Sequence, residues 1–150
     1  MCREELIEAL KATKKSECFD NSTVAKENHK EFRLENKSKK TICRVKVDGC
    51  LIDDQRTKRC DYLFKVCETK KHFLVELKGT DVNKAVEQII STFDFINRKL
   101  KLSPEYYEGV IVSSSVPRAA EQKFRLLKEN CLKKKKLRIR KVSHKHPETI

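Results

Sequence analysis

One change of period divides this chain. From Thr41 to Lys78 apolar residues fall into short strand-length runs, the first of them alternating, separated by polar turns; from Val82 they recur at helical spacing. Period two sends successive side chains to opposite faces of a strand, whereas a recurrence at three and four residues keeps them on one side of a helix. The first run alternates Cys43, Val45 and Val47 with Ile42, Arg44 and Lys46, down to the turn signal Asp48-Gly49. Cys50-Leu51-Ile52 resumes that strand, and Asp53 to Lys58 forms a polar turn. Cys60 to Cys67 is the next apolar run and His72 to Lys78 another. Such short connections predict an antiparallel meander.

After the meander, Asp81 stands where a helix cap belongs, and residues 82–99 carry a buried stripe of Val82, Ala85, Val86, Ile89, Ile90, Phe93 and Ile96. Ser103-Pro104 ends that helix. Gly109-Val110-Ile111-Val112 is continuously apolar, which predicts a strand covered on both faces. Pro117 opens a further helix with Ala120, Phe124, Leu127 and Cys131 facing inward, and residues 137–142 alternate again as a last strand. That strand–helix–strand unit predicts a right-handed crossover between parallel strands. Upstream, residues 3–15 read as a short helix with Leu6, Ile7 and Leu10 on one side, and Ser22 as the cap of a second helical stretch through Phe32. Phe32-Arg33-Leu34-Glu35 fits a short strand equally well. The expectation is one α/β domain over 1–150 with a mixed central sheet. Its core spans about 41–142, with a helical region over 1–40 and a basic, polar tail over 143–150.

Charge narrows the partners. Lys and Arg number 35 against 22 Asp and Glu, for a net charge of +13. Eight of the basic residues fall between Lys133 and His146, a stretch without an acid. Lys133, Lys134, Lys135, Lys136, Arg138, Arg140 and Lys141 are therefore the candidate contacts to a phosphate backbone, which attracts cations through counterion release. A merely solubilising surface accounts for the charge equally well. No aromatic residue interleaves with this run, so the contacts expected are to phosphates rather than to stacked bases.

Seven cysteines, an odd number, and the charged start Met1-Cys2-Arg3-Glu4-Glu5 predict an intracellular, cytoplasmic protein with free thiols, nucleoid-associated if bacterial. No run approaches the ~20 apolar residues of a membrane span. Six, nine and six residues separate Cys43, Cys50, Cys60 and Cys67, which is not the tight pairing of a zinc site, and the four read as small core residues. His29, His72, His144 and His146 show no ligand spacing with one another or with the cysteines.

Asp61, Glu76 and Lys78 stand apart because each is a charge within an apolar strand, where it is costly unless paired or metal-bound. Glu76 and Lys78 are two apart and leave one face, with Val75 and Leu77 turned the other way. If the Asp61 strand pairs with theirs, two carboxylates meet beside an ammonium, a donor set suited to Mg²⁺. A Glu–Lys pair on a solvated strand is the commoner use of such a pattern, but Phe73-Leu74-Val75-Glu76-Leu77 is too apolar for one.

Cys60-Asp61-Tyr62 followed by Phe73-Leu74-Val75-Glu76-Leu77-Lys78-Gly79, within the element order αβββαβ, resembles the PD-(D/E)xK nuclease superfamily over residues 41–142. Cys60 stands where the motif's Pro would be. The resemblance implies a restriction-endonuclease-like core flanked by helices, and Mg²⁺, with Mn²⁺ as a substitute, held by Asp61, Glu76 and the backbone carbonyl of Leu77. Lys78 would orient the attacking water. Gln88 is a candidate polar helper from the following helix, and Asp48 a further metal ligand, although Asp-Gly is also a common turn pair. Glu27, Glu31 and Glu35 are open choices for an acid from the first helix. The activity implied is endonucleolytic hydrolysis of nucleic acid, foremost DNA, by a homodimer or a subunit of a larger complex with no membrane involved. An inactive nucleic-acid-binding module of the same fold, or a basic protein-interaction protein, fits the same charge.

Overall fold

The structure, a computed structural model, describes residues 2–77, 81–114 and 118–150. The chain runs through α1 (Cys2–Ala9), a 3₁₀ segment (Thr13–Cys18), β1 (Phe19–Asp20), β2 (Val24–Glu27), β3 (Lys30–Glu35), β4 (Ile42–Lys46), β5 (Tyr62–Val66) and β6 (Lys71–Glu76). It continues through α2 (Val82–Leu100), a 3₁₀ turn (Pro104–Tyr106), β7 (Tyr107–Ser113), α3 (Arg118–Lys135), β8 (Arg138–Ser143) and β9 (Lys145–Thr149).

The architecture is α/β around a mixed six-stranded sheet, ordered β1-β4-β5-β6-β7-β8. β4, β5 and β6 form the antiparallel meander that the alternation predicts. β6, β7 and β8 are mutually parallel, because α2 and α3 return the chain to the starting edge before each new strand. Asp81 caps α2 as expected, its side chain accepting the Lys84 N–H at 3.1 Å. Period two then sorts the core into two layers. Leu63, Leu74, Ile111 and Ile139 face the helices, packing with Leu6, Ile89, Phe93 and Phe124. Phe64, Phe73, Val75, Val110 and Val112 face the other way, against Ala25, Phe32 and Leu34 of a three-stranded sheet ordered β2-β3-β9. Helices, large sheet and small sheet therefore make three layers.

The small sheet is where the chain departs from expectation. Residues 22–32 are not helical: Ser22 closes a local turn by accepting the Val24 N–H at 3.2 Å, and β2 pairs antiparallel with β3. Asn28 and His29, both at positive φ (50° and 63°), join Glu27 to Lys30 as a two-residue turn of the kind that matches strand twist. The helix expected over 3–15 stops at Ala9, after which Lys11 adopts φ 54°. The expected tail over 143–150 is largely β9, parallel to β3, so a strand of the N-terminal region pairs with the last strand of the chain. Cys50-Leu51-Ile52 does not resume a strand; only an isolated bridge joins Asp48 to Ile52.

The cysteines also divide differently. Cys2–Cys67 and Cys18–Cys50 are disulfides, while Cys43, Cys60 and Cys131 are buried thiols. Free thiols were expected throughout, so the inference of a reducing compartment loses its support. Spacing could not show the pairing, because Cys2 and Cys18 lie in the region whose strands were misread. Among the described residues no helix is long and apolar enough to cross a membrane.

Candidate active site

Asp61 and Glu76 are both buried, at 4% and 1% exposure, in a protein whose other carboxylates are nearly all at the surface. Glu76 is the last residue of β6, and alternation puts it on the same face as Leu74, toward α2. Asp61 lies one residue before β5 and is tied to both neighbours of Glu76. Its N–H donates to the Val75 carbonyl at 3.1 Å, and its Oδ2 accepts the Leu77 N–H at 2.8 Å. On the other side its carbonyl receives the Val47 N–H at 2.9 Å. Asp61 is thus a junction of β4, β5 and β6, held by backbone on three strands.

The residue before it is fixed from the helix layer. The Cys60 N–H donates to Thr92 Oγ1 at 2.8 Å, and the Thr92 hydroxyl donates to the Gln88 carbonyl at 2.8 Å. Burial pushes the Cys60 thiol well up from its ordinary range, and the nearby Glu76 and Asp61 carboxylates add to the effect while the Thr92 bond opposes it. The thiol stays protonated and is a poor nucleophile or soft metal ligand.

Each candidate residue can now be placed. Asp61 and Glu76 are brought together by the β5–β6 pairing. Leu77 is fully buried and contributes its N–H to Asp61. Lys78 lies outside the described residues. Gln88 is half-buried on α2 and touches the site's framework through its carbonyl. Asp48 is close in sequence to the junction but is engaged by Arg59, whose Nε donates to its Oδ1 at 2.8 Å. Glu27, Glu31 and Glu35 sit on or beside strands of the small sheet, so none is an acid from a first helix. Among the described residues no three His, Cys, Asp or Glu side chains group as a metal site. The donor set is a pair of carboxylates, and that is compatible with Mg²⁺, which commonly takes one or two protein carboxylates and completes its shell with water and substrate phosphate. Thr92 was not singled out by the sequence; a hydroxyl in the middle of the apolar stripe of α2 was the available signal.

The basic run separates into two groups. Lys133, Lys134 and Lys135 form the last turn of α3 and Arg138 begins β8, so they lie at the amino ends of the parallel strands. Glu76 lies at the carboxyl end of β6. Lys135 pairs with Asp94 at 2.9 Å, and Arg140 is held by Glu108 and Glu148 on the opposite face of the sheet. Lys141 differs: Glu76 is in register with Ile111, and Ile111 with Lys141, so Lys141 shares a rung and a face with Glu76 two strands away. That is about 10 Å at the usual spacing of strands.

Comparison of the chain with protein-family models, with curated proteins and with solved structures returns no match.

Proposed function

We propose that this chain is a metal-dependent nuclease that hydrolyses phosphodiester bonds, foremost of DNA, at the Asp61–Glu76 pair. The observation that carries the reading is the burial of both carboxylates at one junction of three strands. Two such groups are costly in an apolar interior unless a cation compensates them. The succession of a three-strand antiparallel meander, α2 and a parallel β7 supports the reading, since it is what the resemblance to a restriction-endonuclease-like core leads one to expect.

In this reading Asp61 and Glu76 bind Mg²⁺, with the Leu77 carbonyl as a further oxygen donor. The bound ion would polarise the scissile phosphate and lower the pKa of a water. The Leu77 N–H holds one oxygen of the Asp61 carboxylate and so fixes the orientation of that acid. Lys78, two residues beyond Glu76 and separated from it only by Leu77, would hold the attacking water and offset charge gathering on the phosphate. Thr92, anchored on the Gln88 carbonyl, keeps the Cys60–Asp61 segment seated on α2, and the Gln88 side chain is the polar helper this reading would draw from that helix. The small size of the chain favours action as a homodimer or within a larger complex.

The test is cleavage of supercoiled, linear duplex and single-stranded DNA, and of RNA, in the presence of Mg²⁺. The parent should cut at least one of them, and Glu76→Gln and Lys78→Ala should not. Equal cleavage by the parent and both variants would remove the reading. A parent that binds nucleic acid with no cleavage in Mg²⁺ or Mn²⁺ would favour the binding-only module, a reading helped by the lack of a third acidic ligand among the described residues.

A further inference from the structure

Beyond Glu76's rung, the carboxyl ends of β7 and β8 enclose an open cavity of about 620 Å³. It is lined by Ser113 and Ser114 after β7, by Lys141, Ser143 and His144 along and after β8, and by Glu121 from the first turns of α3. Ser113 and Ser143 are paired in register two residues past the Ile111–Lys141 rung, and alternation places both on the face that carries Glu76.

We propose that this cavity is a second phosphate subsite, in which Lys141 and the hydroxyls of Ser113, Ser114 and Ser143 hold a backbone phosphodiester a few nucleotides along from the one at Asp61 and Glu76. The inference rests on the nuclease reading above and assigns a further contact along the strand. Three features carry it. The donors are of the right kind: three hydroxyls, whose protons rotate to suit an acceptor, and one ammonium with three N–H bonds. The separation also fits, since Lys141 stands about 10 Å from Glu76, roughly three phosphate steps on a nucleic-acid strand that carries one phosphate per roughly 3.4 Å of helix axis. The third feature is the state of Lys141. Its ammonium lies 5.7 Å from the centre of the Phe124 ring and is ion-paired to Glu121 at the cavity wall, which leaves donors over for a second anion.

Glu121 gives the subsite its particular signature. Its carboxylate holds Lys141 in place and also competes with any incoming phosphate for the same ammonium. A pair that served stability alone would suffer equally from loss of either partner. A phosphate subsite responds with opposite signs: removing Lys141 weakens binding, and neutralising Glu121 strengthens it. His146 also lines the cavity, but its Nε2 faces Glu148 at 3.0 Å and it is not required.

The experiment is fluorescence anisotropy of labelled single-stranded and duplex oligonucleotides with the full chain in EDTA, across a salt series. Thermal melting of each variant accompanies it. Lys141→Gln should weaken binding on the order of tenfold and reduce the salt slope by about one. Ser143→Ala should weaken it less, and Glu121→Gln should tighten it severalfold. With Mg²⁺ present, Lys141→Gln should raise KM more than it lowers kcat, unlike Glu76→Gln. Parent-like affinity in Lys141→Gln, or weakened binding in Glu121→Gln, overturns the subsite. If Lys141→Gln fails to fold, Glu121→Gln and Ser143→Ala decide the question by the same signs. A parent that cleaves while these variants bind unchanged sinks the subsite alone; a parent that binds no nucleic acid sinks the nuclease reading with it.

Discussion

The Asp61 carboxylate accepts the Leu77 N–H at 2.8 Å, across the residue that ends β6. One oxygen of a buried acid is therefore spent on locking the strand end that also presents Glu76. The acid has a structural task beside the chemical one proposed for it, and the two can be separated by choice of substitution.

Asp61→Asn keeps an oxygen for the Leu77 N–H and removes the charge. Melting should stay close to the parent while Mg²⁺-dependent cleavage disappears. Asp61→Ala leaves that buried N–H without its acceptor and should also lose about 1–3 kcal/mol of stability in urea titration. Retained cleavage in Asp61→Asn would remove Asp61 from the chemistry.

Gly109 seats α2 on the sheet. A Cβ there would meet Ile89 Cγ2 at 2.7 Å and Ile139 Cγ1 at 3.1 Å, inside contact distance on both sides. Gly109→Ala should cost about 1–3 kcal/mol, as overpacking does. Because α2 carries Thr92, any surviving cleavage should fall with it; an unchanged melting temperature would show that Ile89 can yield.

His72 is buried against Tyr107, with Nδ1 2.7 Å from the Lys70 carbonyl. A carbonyl only accepts, so Nδ1 carries the proton of a neutral ring. Burial pushes its pKa down from 6.5 to about 4. Between these values the unfolded chain takes up a proton that the native fold refuses. Stability is therefore fully present above pH 6.5 and falls as the pH drops toward 4, by about 3 kcal/mol. His72→Phe should flatten that part of the pH profile, and an identical profile would exclude His72 as its source.

The two disulfides tie the N-terminal segment to the sheet over separations of 65 and 32 residues. On chain-entropy grounds each constrains the unfolded chain by roughly 4 kcal/mol. Dithiothreitol, or Cys2→Ser with Cys67→Ser, should lower the denaturation midpoint clearly. No change would mean that the bridges close no loop of consequence.

These predictions draw on parts of the fold that were legible to different degrees. The meander, α2 with its Asp81 cap, and the parallel β7–α3–β8 unit follow from periodicity, because each buries a regular stripe. The small sheet did not follow, since Val24-Ala25-Lys26-Glu27 is too short and polar to declare a strand without β3 beside it. β9 is stabilised by pairing with a strand more than a hundred residues away, and local pattern carries no trace of that. Asp61 and Glu76 could be singled out because charge inside an apolar run is anomalous. The separation of the basic run could not: Lys141 and Lys133 are near in sequence, but the turn from α3 into β8 sends them to different ends of the sheet.

Calorimetric titration of Mg²⁺ or Mn²⁺ into the nucleic-acid-free protein asks directly whether the two buried acids hold an ion. One divalent ion should bind per chain in the millimolar range or tighter, and binding should vanish in Glu76→Gln at an unchanged melting temperature. A parent that takes up no ion at millimolar concentrations, or a variant that binds as the parent does, would contradict the Asp61–Glu76 centre outright.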